Sequence, residues 1–146
     1  MRPDTSRTLQ GVGINLLMNV SPDVRTPFAA QTVNLAGMLA MMAAEEAERA
    51  ADRLTTENRA VRDLLRDGLP FAGGNKTVVE AGLATPVAAN LRVSSLQAEN
   101  DALRRALIVL HEAVEGSSLP GAAEFNERIW AELAESTRRR QYQARI

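Results

Sequence analysis

The chain has 146 residues, a formal net charge of −1, no cysteine and an aromatic content of 3%. That length supports one domain with a real core, and near-neutrality removes any global field that would draw it to nucleic acid or a membrane. Disulfides and thiolate metal sites are excluded, and a core limited to Leu, Val, Ala, Met and Ile suits helices better than a β-sandwich. Of 17 basic residues only Lys76 is lysine. This Arg and Ala bias is what a GC-rich bacterial genome gives.

Proline placement marks the helix starts. Ser21-Pro22, Thr26-Pro27 and Thr85-Pro86 each put a capping hydroxyl before a residue that needs no N–H donor in the first turn, and Pro120 follows Ser117 and Ser118. Gly68 and Gly116 fall where two long helices should stop. The N-terminal residues Met1 to Arg7 lack the apolar core of a signal peptide, so a cytoplasmic location is expected.

Four main helices are predicted. The first covers Thr8 to Val20, with Leu9, Val12, Leu16, Leu17 and Val20 on one face and with Gly11 and Gly13 as weak points or sites of close approach. The second runs from Pro27 towards Arg66. Its first half (Phe28, Val33, Leu35, Met38, Leu39, Met41, Met42) is apolar nearly all round, as a central core helix should be. An uncharged stretch from Thr26 to Ala44 is short for a membrane span and reads as buried helix.

Residues 68–85 form an irregular connection, where Thr77 and Glu80 suggest a capping box on one short turn. The third helix is predicted over Pro86 to Glu115. The fourth, Gly121 to about Arg140, puts Ala122, Phe125, Ile129, Trp130 and Leu133 together. Arg138, Arg139 and Arg140 favour a helix C-terminus, with a frayed basic tail at 141–146.

One phrase occurs twice. Leu54-Thr-Thr-Glu57-Asn58-Arg-Ala60-Val61-Arg62-Asp-Leu64-Leu65 returns as Leu96-Gln-Ala-Glu99-Asn100-Asp-Ala102-Leu103-Arg104-Arg-Ala-Leu107, identical at Leu, Glu, Asn, Ala, Arg and Leu. The offset of 42 residues is a whole number of heptads. The apolar spacing of 3 and 4 makes Leu54, Asn58, Val61, Leu65, Leu96, Asn100, Leu103 and Leu107 an interaction seam, in which a polar Asn fixes register or partner number. In an antiparallel hairpin the two Asn would sit at different heights. In a parallel dimer each would meet its own copy.

The expected architecture is all-α: a single domain over 1–146, an up-and-down bundle of about four helices with a long helical hairpin carrying heptad seams. The narrow stripe beyond Leu54 is too long for the first helix to cover, so a homodimer is expected. A non-catalytic interaction or accessory protein with a possible partner enzyme follows, with no cofactor, no nucleic acid and no membrane.

Chemistry-bearing candidates are sparse. Glu45/Glu48 and Glu112/Glu115 have the Glu-x-x-Glu spacing that puts two carboxylates on one helical face, where facing pairs can hold Mg²⁺ or Mn²⁺. In this they resemble the all-α nucleotide pyrophosphohydrolases, which implies an alternative Mg²⁺- or Mn²⁺-dependent enzyme, although the closing Asp of that family's pattern is absent. His111 is the only histidine and lacks the second His of a zincin motif. Gly73-Gly74-Asn75-Lys76-Thr77 is no phosphate loop, because Asn75 stands where Gly must precede Lys. Met38, Met41 and Met42 could line an apolar pocket or fill a core. Arg62, like Arg49 and Arg53, lies beside acidic residues as on a solvated helix face.

The stretch Asp23-Val-Arg-Thr-Pro27-Phe28-Ala-Ala-Gln31, an Ala/Leu helix, and then Glu57-Asn58-Arg-Ala60-Val61-Arg62 together resemble small helical bacterial proteins. These are of unknown function and encoded near phosphotransferase-like kinases and acyl-CoA dehydrogenases. The resemblance covers roughly the first half of the chain. It implies an accessory role in acyl or small-molecule metabolism and assigns no catalytic residue.

Overall fold

A computed structural model describes residues 4–143, and these are helical with no β-strand among them. The Met1–Pro3 end of the leader reading and the 144–146 end of the basic tail, Arg145 included, lie outside the described residues. Two compact units divide the chain, residues 51–141 in one and residues up to 50 with Tyr142 onwards in the other.

The N-terminal unit holds helix α1 (Thr5–Asn15) and the first part of α2 (Pro27–Gly68). Asp4 caps α1 by accepting the Arg7 N–H at 3.1 Å. A π-helical turn (Leu16–Val20) and a 3-10 turn (Ser21–Asp23) then reverse the chain, so Pro22 closes a turn instead of opening a long helix. A Cβ on Gly13 would lie 2.8 Å from the Gly37 carbonyl oxygen, and one on Gly37 would lie 2.7 Å from Leu17 Cγ. Contacts of 13 with 37 and 41, and of 17 with 37, make the two helices antiparallel. Gly13 supplies the close approach that the sequence suggested, whereas a Cβ on Gly11 would meet open space. The inward face of α1 is therefore turned towards Gly13 and Leu17, which leaves Val12 and Val20 exposed.

The second unit begins with the rest of α2, which runs two residues past Arg66 and ends at Gly68. Two 3-10 turns (Leu69–Phe71, Gly73–Asn75) lead into α3 (Lys76–Leu83), followed by α4 (Val93–Glu115) and α5 (Ala122–Arg139). Asn75 precedes α3 and Thr77 lies inside it, so the expected capping box is not what starts that helix.

Here α2 and α4 run parallel. Asn58 bonds Asn100 at one level, and a Cβ on Gly68 would strike Leu110 at another, both pairs separated by 42 residues. The expected up-and-down hairpin is thus replaced by a crossover. Gly82 packs on Ala106, about 20 Å up α4 from Val93 at 1.5 Å per residue. The nonhelical residues 84–92, at about 3.3 Å each, reach that far. Antiparallel to both runs α5, with Asn126 beside His111 and Ser136 beside Arg104.

The core of this unit joins Val61, Leu64, Leu65, Val79, Leu103, Leu107, Leu110, Val114, Phe125 and Ile129. Trp130, one residue round from Ile129, stays half exposed and meets the His111 ring edge-on at 5.2 Å.

Packing at Gly82 gives a direct check on the crossover. A Cβ there would come within 2.3 Å of the Ala106 Cβ. Gly82→Ala is expected to destabilise the protein by about 1–3 kcal/mol, measured by urea unfolding, because α3 must move off α4.

Candidate functional site

The repeated phrase folds onto itself. Asn100 Nδ2 donates to Asn58 Oδ1 at 2.8 Å, and Asn58 Nδ2 donates to the Leu96 carbonyl at 3.1 Å. On one flank of this pair Arg104 Nη2 donates to Glu57 Oε2 at 3.0 Å. On the other, Arg62 donates to Glu99 Oε1 through Nε at 3.0 Å and Nη2 at 2.9 Å. The Glu of each copy holds the Arg of the other, at separations of 47 and 37 residues, five either side of 42. A local two-fold relation between the copies follows.

Each flank then binds an element that is not repeated. Glu57, fully buried, also accepts Ser136 Oγ–H at 3.1 Å and Arg140 through Nε at 3.2 Å and Nη2 at 2.7 Å. Arg104 reaches Ser136 Oγ at 2.7 Å and Asn100 Oδ1 at 3.0 Å. These bonds fasten the end of α5.

On the opposite flank, Arg62 donates to the carbonyls of Leu83 at 3.0 Å and Thr85 at 2.6 Å, while Glu99 Oε2 accepts the Ala88 N–H at 2.8 Å. Asn90 Oδ1 accepts the Arg92 N–H at 2.9 Å. Of these groups the Thr85 carbonyl and the Arg92 N–H are ones that a helix from Pro86 would need for itself, and α4 begins at Val93 instead.

Burial by itself pushes the Glu57 carboxyl up. Hydrogen bonds from Arg140 and Arg104, together with their charges, outweigh it and hold the group at about 2.

All eight seam residues predicted from the sequence are buried: Leu54, Asn58, Val61, Leu65, Leu96, Asn100, Leu103 and Leu107. They lie within this unit, so the stripe beyond Leu54 is covered without a second molecule. Sequence reasoning missed Glu57, Glu99, Arg62, Arg104, Ser136 and Arg140. Arg62 is no solvated-face residue, and Arg140, at the helix end where the sequence placed it, turns its head onto Glu57. Arg139 likewise pairs with both oxygens of Glu132 at 2.8 and 2.9 Å. The Glu and Arg of the repeat carried the missed signal, at a spacing of five in both copies.

The other candidates are dispersed. Glu45, which pairs with Arg49 and accepts the Gln143 N–H at 2.8 Å, belongs with Glu48 to the N-terminal unit. Glu112 and Glu115 are exposed on the second unit, and Glu115 lies 3.6 Å from His111 Nε2. No group of three or more His, Cys, Asp or Glu side chains is placed to hold a metal ion among the described residues. His111 Nε2 lies 2.9 Å from Asn126 Oδ1, which fixes its ring in a packing role. Met38 is exposed, and a cavity of about 240 Å³ in the N-terminal unit is lined by Met41 with Ser6, Gln10 and Glu48.

Two grooves flank the polar layer. One, about 470 Å³, lies between α2 and α5 and is lined by Asp63, Leu64, Arg128, Glu132 and Arg138. The other, about 280 Å³, is lined by Asn58, Arg59, Arg62, Val87, Leu91 and Glu99. In the second, the Arg62 and Glu99 heads are occupied by each other and by backbone. Chemically the layer is a lock between helices, with its charged groups committed to one another.

No protein-family model matches this chain, and neither does any curated protein or solved structure.

The lock makes an acid-side prediction. Because the Glu57 carboxyl sits at about 2 when folded and near 4.5 otherwise, its contribution is complete above pH 4.5 and is lost as pH falls towards 2. Glu57→Gln should therefore cost about 3 kcal/mol at neutral pH and progressively less below pH 4.5. Urea unfolding of both proteins across pH 2.5–7 reads this directly.

Proposed function

We propose that this chain is a non-catalytic interaction protein that self-associates. Its second unit serves as a rigid scaffold, a parallel coiled coil made within one chain and closed by α5. In heptad terms Asn58 and Asn100 share a facing a position, and the Glu–Arg pairs are the g-to-e contacts that set register. The N-terminal helical pair is the adhesive part.

One observation carries the reading. In residues 4–50 the buried residues are Gly13, Gly37, Ala44 and Ala50, while Phe28 is 83% exposed and Met18 70%. Two helices that bury nothing larger than alanine have little to hold them, since helix stability in water comes mainly from packing an apolar face. Covering the exposed Val12, Ile14, Phe28, Leu35 and Leu39 would supply about 25 cal/mol for each Å² removed from water. A central core helix, as the apolar first half of α2 suggested, is achieved only when something lies over it.

The homodimer is therefore proposed through the N-terminal unit, and the stripe beyond Leu54, already covered inside the chain, no longer argues for it. The resemblance to small helical bacterial proteins fits an accessory of a partner enzyme in acyl or small-molecule metabolism, working in the cytoplasm. No helix among the described residues is long and apolar enough to cross a membrane.

Sedimentation equilibrium at micromolar concentration tests the reading. A dimer that dissociates on dilution is the expected result. A folded monomer across the whole range would contradict self-association.

A further inference from the structure

The helix partner of α2 in the N-terminal unit defines its inner side at Gly37. At about 100° per residue, Phe28, Leu35, Leu39 and Met42 fall within about 40° of the line opposite Gly37. With Thr32 they recur at spacings of 4, 3, 4 and 3, the period of a helix–helix seam. Leu35 and Leu39 are more than half exposed and Phe28 almost wholly so. No ionisable residue occurs from Thr26 to Ala44, so the stripe offers a charged partner nothing to bind.

Its ends do carry charge: exposed Arg25 precedes it and exposed Glu46 follows it. From this arrangement we infer that the stripe is the contact with a second copy of this chain, and that the two copies run antiparallel about Leu35. The inference rests on the self-association proposed above and specifies its face and direction.

Charge decides the direction. A parallel pair would set Arg25 against Arg25 and Glu46 against Glu46, and like charges facing across a helix pair are unfavourable. An antiparallel pair centred on Leu35 sets Phe28 against Met42, and brings Thr32 to within one residue of the level of Leu39 and Arg25 to within one residue of the level of Glu46 of the second copy. Every apolar member then meets an uncharged one, and unlike charges share each end. With two such stripes joined, the two α2 helices pack on each other and each α1 stays on the far side of its own α2, held there by the small-residue contact of Gly13 with Gly37.

The chain has no cysteine of its own, so single cysteines report the register. Leu35→Cys should cross-link to its own copy under mild oxidation, because Cα atoms at the two-fold axis come within disulfide reach, about 6 Å. Phe28→Cys alone should not cross-link, whereas an equimolar mixture of Phe28→Cys and Met42→Cys chains should give the mixed disulfide. Separately, Leu35→Lys should abolish the dimer with helical content retained by circular dichroism.

Efficient Phe28→Cys self-cross-linking would overturn the antiparallel arrangement. A dimer by sedimentation with no cross-link at 28, 35 or 42 would overturn the stripe and leave self-association standing. A monomer by sedimentation would overturn both.

Discussion

A buried carboxylate without partners is among the most costly features a small domain can contain, and Glu57 is a carboxylate with no exposed surface. Everything around it follows from satisfying that group. Arg104 comes from α4, Ser136 from α5 and Arg140 from the residue that ends it, so meeting the needs of one side chain from α2 fixes where two other helices lie. Beside it, the Asn58–Asn100 bond fixes height as well as direction, since a slip of one turn would leave both amides buried and unpaired. The Arg62–Glu99 pair repeats the arrangement by local symmetry and uses its spare bonding capacity on the crossover.

Architecture and register were legible in the sequence to different degrees. Helix-forming composition, the stop at Gly68, the stop at Gly116 and the start at Pro27 depend on local chemistry, and the structure places α2 and α4 accordingly. The repeat at a 42-residue offset marked the residues that meet. Their direction was misjudged because an antiparallel hairpin is the default for neighbouring helices, and the connection after Gly68 looked like an irregular loop. In the structure that connection is long enough to carry the chain back to the start of α2's second part.

The false helix start at Pro86 is instructive for a related reason. Thr85-Pro86 is a sound local signal, but Arg62, from a distant part of the sequence, takes the Thr85 carbonyl that the first turn of such a helix would use. Trp130 was similarly misassigned, and the contact of Arg140 was missed. A rotation of one residue left Trp130 half out of the core, and buried Glu57 holds the head of half-exposed Arg140. Local patterns cannot register either effect, because both depend on which helix lies opposite.

The two units obey opposite economies. Residues 51–141 surround a polar lock with large aliphatic side chains, while residues 4–50 rely on glycine and alanine and leave their largest apolar groups outward. That division is what the proposed self-association through residues 4–50 would call for. The central claim remains the parallel, in-register pairing of the repeated phrase, since the scaffold depends on it. A double-mutant cycle with Asn58→Ala and Asn100→Ala, followed by urea unfolding, tests it most directly. Parallel pairing predicts a coupling energy of about 1 kcal/mol or more, whereas additivity to within about 0.3 kcal/mol would contradict it.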